Sequence, residues 1–389
     1  MKPRLRHVAL LIETSREYGR GLLRGVIRYQ REHEPWSLYF RPQGLGEPPP
    51  AWLRSWKGDG ILVRANSRKT ADLVIETGLP AVELRFSVPD LDLPCVGIDN
   101  RLTVELAFQH LHDRGFRSFG FCGLPRGENV VVDYRGECFR ELAGKVGARC
   151  DLYPGPAGRR RSGPWEEEQA EIADWIAALP KPAGIMACHD DRGLQVLDAC
   201  RRAGVRVPDE AAVIGVDNDE FLCNLSSPPL SSVDVGVERA GYEAAALLDR
   251  LMARRQVRER RILLPPIGVV VRQSTDVMPI EDQDLARVIR YIREHACAGI
   301  RVDDVLRQGT LSHSTLQRRF KALLGRTPKD EITRVQLERA KHLLAHTDLP
   351  AAAIAARCGF AQLKRLSTVF AAKVGVPPGA FRRQARAAR

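Results

Sequence analysis

The chain has 389 residues, 44% of them apolar, with 60 Lys and Arg against 48 Asp and Glu for a formal charge of +12. That length holds two or three domains, each with a core of its own. No stretch approaches the ~20 apolar residues that span a bilayer, which excludes a helical membrane protein. The excess charge is confined to one end: residues 284–389 hold 21 Lys and Arg against 8 Asp and Glu, a net +13, leaving residues 1–283 at −1.

The chain opens Met-Lys-Pro-Arg-Leu-Arg-His and then has a five-residue apolar run, too short for a signal-peptide core. A soluble, cytoplasmic protein is expected. The nine cysteines, at 95, 122, 138, 150, 188, 200, 223, 297 and 358, form no Cys-x-x-Cys pair and no zinc spacing. They read as free buried thiols in a reducing compartment, and neither a metal nor a cofactor is expected.

From the N-terminus, short apolar runs alternate with amphipathic stretches. Val8–Ile12 reads as a strand and Tyr18–Arg31 as a helix, with Leu22, Leu23, Val26, Ile27 and Tyr29 giving most of its apolar surface. Strand Gly60–Val63, a helix over 68–77 and strand Pro80–Leu84 follow. Then come Cys95–Ile98 with 101–114, Ser118–Cys122 with 133–146, Gly184–Ala187 with 191–203, and Ala212–Val216 before a helix over 236–253. The switch of period between 2 and 3.6 predicts βαβ units and a mostly parallel sheet. The segments at Gly46–Pro50 and Gly155–Gly163 read as solvated loops.

In such sheets a ligand binds at the carboxyl ends of the strands. Polar residues cluster there: Glu13, Ser15, Arg16 and Arg20; Asp99 and Asn100; His189 to Arg192; Asp217 to Asp219. Carboxylates, amides and arginines together suit a polyhydroxylated ligand, whose hydroxyls both donate and accept. Tyr18, Trp36, Tyr134 or Trp165 could cover a sugar face. An Asp after a strand is also an ordinary helix N-cap, and Asp99, Asp191 and Asp219 fit that role. Asp190 and Asp217 sit nearest their strand ends, each with a second acid behind it to cap.

The last hundred residues hold one pattern twice. Val302–Gly325 and Ala351–Gly375 each read as a short helix, a tight turn and a second helix with a polar outer face. That second helix has the shape that enters a DNA major groove. Two copies in one basic module point to a reader of two adjacent grooves. Leu316 and Phe320, and again Leu366 and Phe370, are four apart and should face the core. Ser314, Gln317 and Arg318, with Arg319 beside them, then face outward from the first helix, and Gln362, Lys364, Arg365 and Ser367 from the second. Arg and Gln can bond guanine and adenine edges bidentately.

Two family resemblances rest on these residues. His110-Leu-His-Asp-Arg-Gly-Phe-Arg-Ser-Phe-Gly-Phe, Val213 to Asp219, Pro228 to Val233 and Gly241-Tyr-Glu-Ala-Ala resemble the sensor domains of the LacI/GalR family over residues 5–275. Ser312 to Lys321, Gly325, Pro328, Gln336 to Leu344, Cys358-Gly-Phe and Gly375 to Arg382 resemble the AraC family's DNA-binding domain. The resemblance implies an α/β fold: a two-lobed periplasmic-binding-protein-like sensor at 1–275, a linker at 276–283, and an all-α double helix-turn-helix reader at 284–389. It further implies a sugar effector, a double-stranded DNA operator, a homodimer and, for an activator, RNA polymerase as partners. The fused architecture is similar to regulators of pentose (xylose-like) operons, and implies roles for Arg135, Asp217, Asn218 and the segment Arg272–Asp276. The expected ligand set is thus Glu13, Arg16, Tyr18, Arg20, Asp99, Arg135, Asp190, Asp217 and Asn218. Glu13 stands where such regulators carry an amide, and Thr368 where the reader family often carries Arg. No nucleophile elbow, P-loop or dinucleotide fingerprint is present, so an enzyme is not expected.

Overall fold

The computed structural model describes residues 5–44, 46–86, 88, 90–155, 165–257, 259–276, 283–308, 311–347 and 349–387. The chain divides into two compact units, Met1–Met278 and Pro279–Arg389. The expected linker lies outside the described residues apart from Asp276 and Gln283, as does most of the Gly155–Gly163 loop.

The first unit is built on two six-stranded sheets. One contains β1 (His7–Leu11), β2 (Ser37–Phe40), β3 (Gly60–Val63), β4 (Ala81–Glu83), β5 (Cys95–Ile98) and β11 (Arg261–Leu264), in the order β11-β5-β4-β3-β1-β2. The other contains β6 (Ser118–Cys122), β7 (Arg149–Leu152), β8 (Ala183–Ala187), β9 (Ala211–Val216), β10 (Ser231–Asp234) and β12 (Gly268–Val270), in the order β12-β10-β9-β8-β6-β7. Neighbours are parallel except β10 and β12. The central strands are buried along their whole length, as Val/Ile/Leu runs covered by helices on both faces must be. Edge strand β2 is exposed at every residue.

The covering helices are α1 (Glu17–Glu32), α2 (Arg68–Glu76), α3 (Asn100–Asp113), α4 (Val130–Lys145), α5 (Trp165–Ala178), α6 (Asp190–Arg202), α7 (Glu220–Leu225) and α8 (Val237–Met252). Helix α3 packs on the second sheet although β5 lies in the first, and α8 packs on the first sheet although β10 lies in the second. With the β11–β12 connection, the chain therefore passes between the lobes three times. The crossings are stitched together: Asp99 N donates to Leu264 O at 2.8 Å, and Ile267 N to Asp234 O at 2.8 Å. Helices α1 and α8 meet at bare backbone. A Cβ on Gly25 would lie 2.0 Å from Glu238 O, and one on Gly241 2.0 Å from Leu22 O. Leu22, Val26 and Tyr29 are buried in this packing, whereas Ile27 is 44% exposed. All nine cysteines are free, and seven of them are buried.

The sensor's last segment is bolted to the second lobe. Arg272 donates to Asn218 Oδ1 at 2.8 Å and to Leu230 O at 3.0 Å. Thr275 meets His110 Nε2 at 2.7 Å, and its carbonyl accepts from Arg114 Nε at 2.8 Å.

The second unit is helical: α9 (Gln283–His295), α10 (Val302–Leu306), α11 (His313–Leu324), α12 (Pro328–His346), α13 (Ala351–Arg357), α14 (Leu363–Val374) and α15 (Pro378–Ala387). It has two small cores. Leu316 and Phe320 sit in one with Val288, Ile289 and Ile292. Leu366 and Phe370 sit in the other with Ile354 and Leu344. Each of α11 and α14 ends on a left-handed glycine, Gly325 (φ +68) and Gly375 (φ +86), as helix ends commonly do. Helix α12 joins the two halves, with Pro328 at its first turn and a Thr327–Asp330 capping box. Its Gln336 donates to Ala296 O at 2.8 Å, near the first core, and reaches Gly359 O in the second half at 3.5 Å. Glu331 is fully buried and held by Arg334 at 2.8 Å and Arg326 at 2.6 Å, with Arg293 at 3.9 Å.

Candidate functional site

The carboxyl ends of both sheets face each other across a narrow cavity. From the first lobe it is lined by Arg16 and Tyr18 beside β1, Arg64 after β3, Arg85 after β4 and Ile98 at the end of β5. Asn100 at the crossing, Val131 and Arg135 on α4, His189 after β8 and Asp217 after β9 complete it. A larger groove around Trp165 and Leu194 lies on α5–α7, outside this convergence of polar groups.

Inside the cavity wall the charges are mostly paired. The Arg64 guanidinium contacts the Glu13 carboxylate, and both are buried. Glu13 also accepts from Ser15 Oγ at 3.1 Å and Arg16 N at 3.2 Å. Arg64 lies 4.8 Å over the Tyr18 ring, a cation–π contact. Burial pushes the Tyr18 phenol above its ordinary pKa, so it stays protonated. Burial lowers the Arg64 pKa, with Arg85 adding to the effect; a carboxylate in contact keeps it charged.

Arg135 is held in place by Asn100 Oδ1 at 2.8 Å and Cys188 O at 2.7 Å. That leaves Nη2 for a ligand. His189 caps α6, its Nδ1 accepting from Arg192 N at 3.1 Å. Nδ1 is therefore the unprotonated nitrogen and Nε2 carries the hydrogen. Burial and four neighbouring arginines hold the ring's pKa well below its ordinary value, so it is neutral. Its Nε2 is buried with no partner among the described residues, as is Arg64 Nε. Asp217 adopts φ +101, a region that side chains other than glycine rarely enter. Its backbone N–H donates to Val233 O at 3.0 Å, and no side-chain bond to its carboxylate is found among the described residues. Strain of this kind is kept where surrounding structure imposes it, and binding sites are the common setting.

Of the residues that sequence patterning nominated, Arg16, Tyr18, Arg135 and Asp217 line the cavity. Glu13, Arg20, Asp99, Asp190 and Asn218 do not, and each has a reason. Glu13 is taken up by Arg64. Asp99 caps α3 through Leu102 N at 3.0 Å. Asp190 turns into the lobe to accept from Ser232 Oγ at 2.6 Å and Asp219 N at 2.7 Å. Asn218 holds Arg272. Arg20 spans the lobes to Asp219 at 3.6 Å, parallel to an Arg16–Asp191 bridge at 3.4 Å. Asp219 caps α7, as expected, but His189 rather than Asp191 caps α6. Among the aromatics, Trp36 is buried in the core, Trp165 packs under Arg202, and Tyr134 is half exposed on α4; only Tyr18 reaches the cavity. Arg64 and Arg85 were absent from the sequence reading, and His189, placed among the polar residues at the strand ends, was left out of the expected ligand set. The signal for them was their position as the first polar residues beyond strands.

In the second unit, Leu316, Phe320, Leu366 and Phe370 are buried as the spacing required. Ser314, Gln317, Arg318 and Arg319 are exposed on α11, as are Gln362, Lys364 and Arg365 at the start of α14, while Ser367 is half-buried. Gln362 is the N-cap residue of α14. Thr368 turns its hydroxyl back to Lys364 O at 3.0 Å. Arg293, Arg326 and Arg334 are engaged with Glu331, so part of this unit's positive charge is structural.

A two-lobed sensor of periplasmic-binding-protein type, followed in one chain by two helix-turn-helix units, defines a DNA-binding transcription regulator. The periplasmic binding protein-like domain family matches residues 108–275 and a helix-turn-helix domain family matches residues 307–384. The chain belongs to the family of xylose operon regulatory proteins. It is 33% identical to that protein of Escherichia coli (strain K12) over 384 residues, 96% of each chain, and 32% identical to that of Haemophilus influenzae over 381 residues. The solved structure of the xylose-binding transcription activator xylR matches it with a TM-score of 0.78 at 31% identity, covering 98% of this chain and 99% of that one. The cellobiose complex of the regulator CelR, at 23% identity and a TM-score of 0.56, shares the fold of the sensor.

Proposed function

We propose that this protein is a transcriptional activator switched by a monosaccharide-sized, polyhydroxylated effector, a pentose or a close relative, bound between its lobes. The observation that supports this reading is the cavity itself, at the carboxyl ends of both sheets, where buried donors without partners face the Asp217 carboxylate. The effector stabilises the closed arrangement in which Arg16–Asp191 and Arg20–Asp219 bridge the lobes. It shifts the equilibrium only by its preference for that arrangement. Because the chain leaves the sensor from a segment bolted to the second lobe, movement of that lobe carries the tether of the reader with it.

Arg318, Gln317 and Arg365 contact base edges, while Ser314, Arg319, Gln362, Lys364 and Ser367 contact phosphates or flank the contact surface. The protein acts in the cytoplasm as a homodimer on tandem half-sites and presents RNA polymerase with a bound activator. The xylose of its relatives is the first compound to try. The test is operator affinity by fluorescence anisotropy, with and without a saturating effector. An effector that binds the sensor yet leaves operator affinity unchanged sinks the switch.

A further inference from the structure

Asp217 and Asn218 are consecutive residues with positive φ, +101 and +53, and no other such pair without glycine occurs among the described residues. Side chains rarely hold this conformation, and two in a row stand only where neighbours impose it. Here they do. Asp217 N donates to Val233 O at 3.0 Å, and Asn218 N to Ser232 Oγ at 3.0 Å. Ser232 donates in turn to the buried Asp190 carboxylate at 2.6 Å, whose other oxygen accepts from Asp219 N at 2.7 Å. The turn after β9 is thus held by β10 and by the start of α6.

The two side chains of the turn have different tasks. The Asp217 carboxylate lines the cavity. Asn218 Oδ1 accepts from Arg272 Nη2 at 2.8 Å, and the same guanidinium donates from Nη1 to Leu230 O at 3.0 Å. Arg272 opens the segment on which the chain leaves the sensor. That segment is tied down by hydroxyls. Arg272 N donates to Ser231 Oγ at 2.8 Å, as does Thr275 Oγ1 at 2.8 Å. Ser274 Oγ accepts from Ser231 N at 2.8 Å and donates to Val213 O at 2.6 Å. Ser231, Ser232, Ser274 and Thr275 are all fully buried. A buried network whose groups are satisfied is rigid, so a shift of the turn is passed on rather than absorbed.

We infer that Asn218 and Arg272 are positioning residues that couple occupancy of the cavity to the exit segment. The bistable element is the strained Asp217–Asn218 turn. An effector whose hydroxyls donate to the Asp217 carboxylate favours one arrangement of that turn. Asn218 then sets where Arg272, and with it the start of the tether, is held. This rests on the reading of the cavity as an effector site and adds the route by which that site regulates. Such a route is established by measured coupling, not by adjacency.

The experiment uses the full-length protein with D-xylose, L-arabinose, D-ribose and D-xylulose as probes. Sugar affinity is read by isothermal titration and operator affinity by fluorescence anisotropy. In the parent, a sugar that binds should change operator affinity by about 5–150-fold. In Arg272→Gln the sugar's Kd should stay within about 3-fold of the parent's, while the operator response falls below about 2-fold. Asn218→Gly, which keeps the left-handed backbone accessible, should do the same. Asn218→Asp still offers Arg272 an acceptor and should keep the response. The double variant Arg272→Gln, Asn218→Gly should be no worse than either alone, because both remove one contact. Circular dichroism establishes that each variant is folded. A full response in folded Arg272→Gln and Asn218→Gly overturns the coupling and leaves the effector site in place. Sugar affinity lost in step with the response shows that the pair shapes the cavity, and overturns it too. A parent that binds none of the four sugars, or whose operator affinity no bound sugar changes, overturns the switch and this inference together.

Discussion

Replacing Gly25 with Ala tests the packing that positions the first lobe's side of the cleft. On helix propensity alone the change stabilises α1 by about 1 kcal/mol. The new Cβ, however, would sit 2.0 Å from Glu238 O and 2.6 Å from Tyr242 N. Real Cβ atoms essentially never come within 3.0 Å, so α1 and α8 must part by about 1 Å. Both obstructing atoms are backbone, so no rotamer change relieves the clash, and Leu22, Val26 and Tyr29 lose contacts as the helices separate. Overpacking costs about 1–3 kcal/mol and occasionally more. Backbone against backbone belongs at the upper end, for a net loss of about 2 kcal/mol after the propensity gain. In a domain of this size that is a fall of about 4–8 °C in the sensor's melting temperature, read by calorimetry. Gly144→Ala is the control: it lies in α4 with nothing within 4 Å of its added methyl group, and should be neutral or stabilising. A Gly25→Ala protein that melts with or above the parent would refute the close approach of the two helices.

Three further outcomes are expected. Burial, with Arg114 beside it, holds His110 down to about 3, against an unfolded value of about 6.5. Below pH 6.5 the unfolded chain therefore takes up a proton that the native sensor refuses, and stability falls by about 1.4 kcal/mol per pH unit from this residue alone. His110→Asn should flatten the dependence of melting temperature on pH between 7.5 and 5.5; equal slopes would contradict the assignment. In the reader, Arg318→Ala should cost about 1–3 kcal/mol in operator affinity and relax selectivity at one position, whereas Thr368→Ala, whose hydroxyl is spent on its own helix, should change affinity little. Equal losses would show that α14 reads as α11 does. Glu331→Gln strips a buried counter-charge from Arg293, Arg326 and Arg334, and should destabilise the reader by about 3–5 kcal/mol in urea titration; a loss under 1 kcal/mol would mean that the arginines find other partners or water instead.

How far the sequence reached depended on whether a residue's fate was decided locally. Strands β3, β5 and β6 fall on the expected residues, because a run buried on both faces is apolar throughout and bounded by polar residues. Strands β2 and β7 were not anticipated: both are edge strands, β2 a short apolar run, Leu38 to Phe40, exposed at all four positions, and β7 a mixed segment with no fully buried residue. Helix α1 was expected to draw most of its apolar surface from Leu22, Leu23, Val26, Ile27 and Tyr29, but its buried face also includes Gly21 and Gly25, a signal that propensity counts as a defect. In the cleft, Asp217 and Arg135 stand where strand ends and the family resemblance put them. Glu13, Asp190 and Asn218 were drawn off by Arg64, Ser232 and Arg272, partners from other elements that no local pattern names. Arg64 and Arg85 followed the strand-end rule and could have been found by applying it to β3 and β4 as well as to β1, β5, β8 and β9.

The reader's two halves repeat at an offset of 50 residues: Leu316 and Leu366, Phe320 and Phe370, Gly325 and Gly375, Pro328 and Pro378. The offset also places Arg318 opposite Thr368, Arg319 opposite Val369 and Lys321 opposite Ala371. The duplication kept the scaffold and lost its symmetry. The two reading helices therefore present different side chains, Gln317 and Arg318 on α11 and Lys364 and Arg365 on α14, in a fixed order along α12, about 28 Å long at 1.5 Å per residue. A subunit's half-site has a heading. Turning that half-site around places each set of bases under the other reading helix, so inverting one half-site should weaken its use even though its composition and position are unchanged.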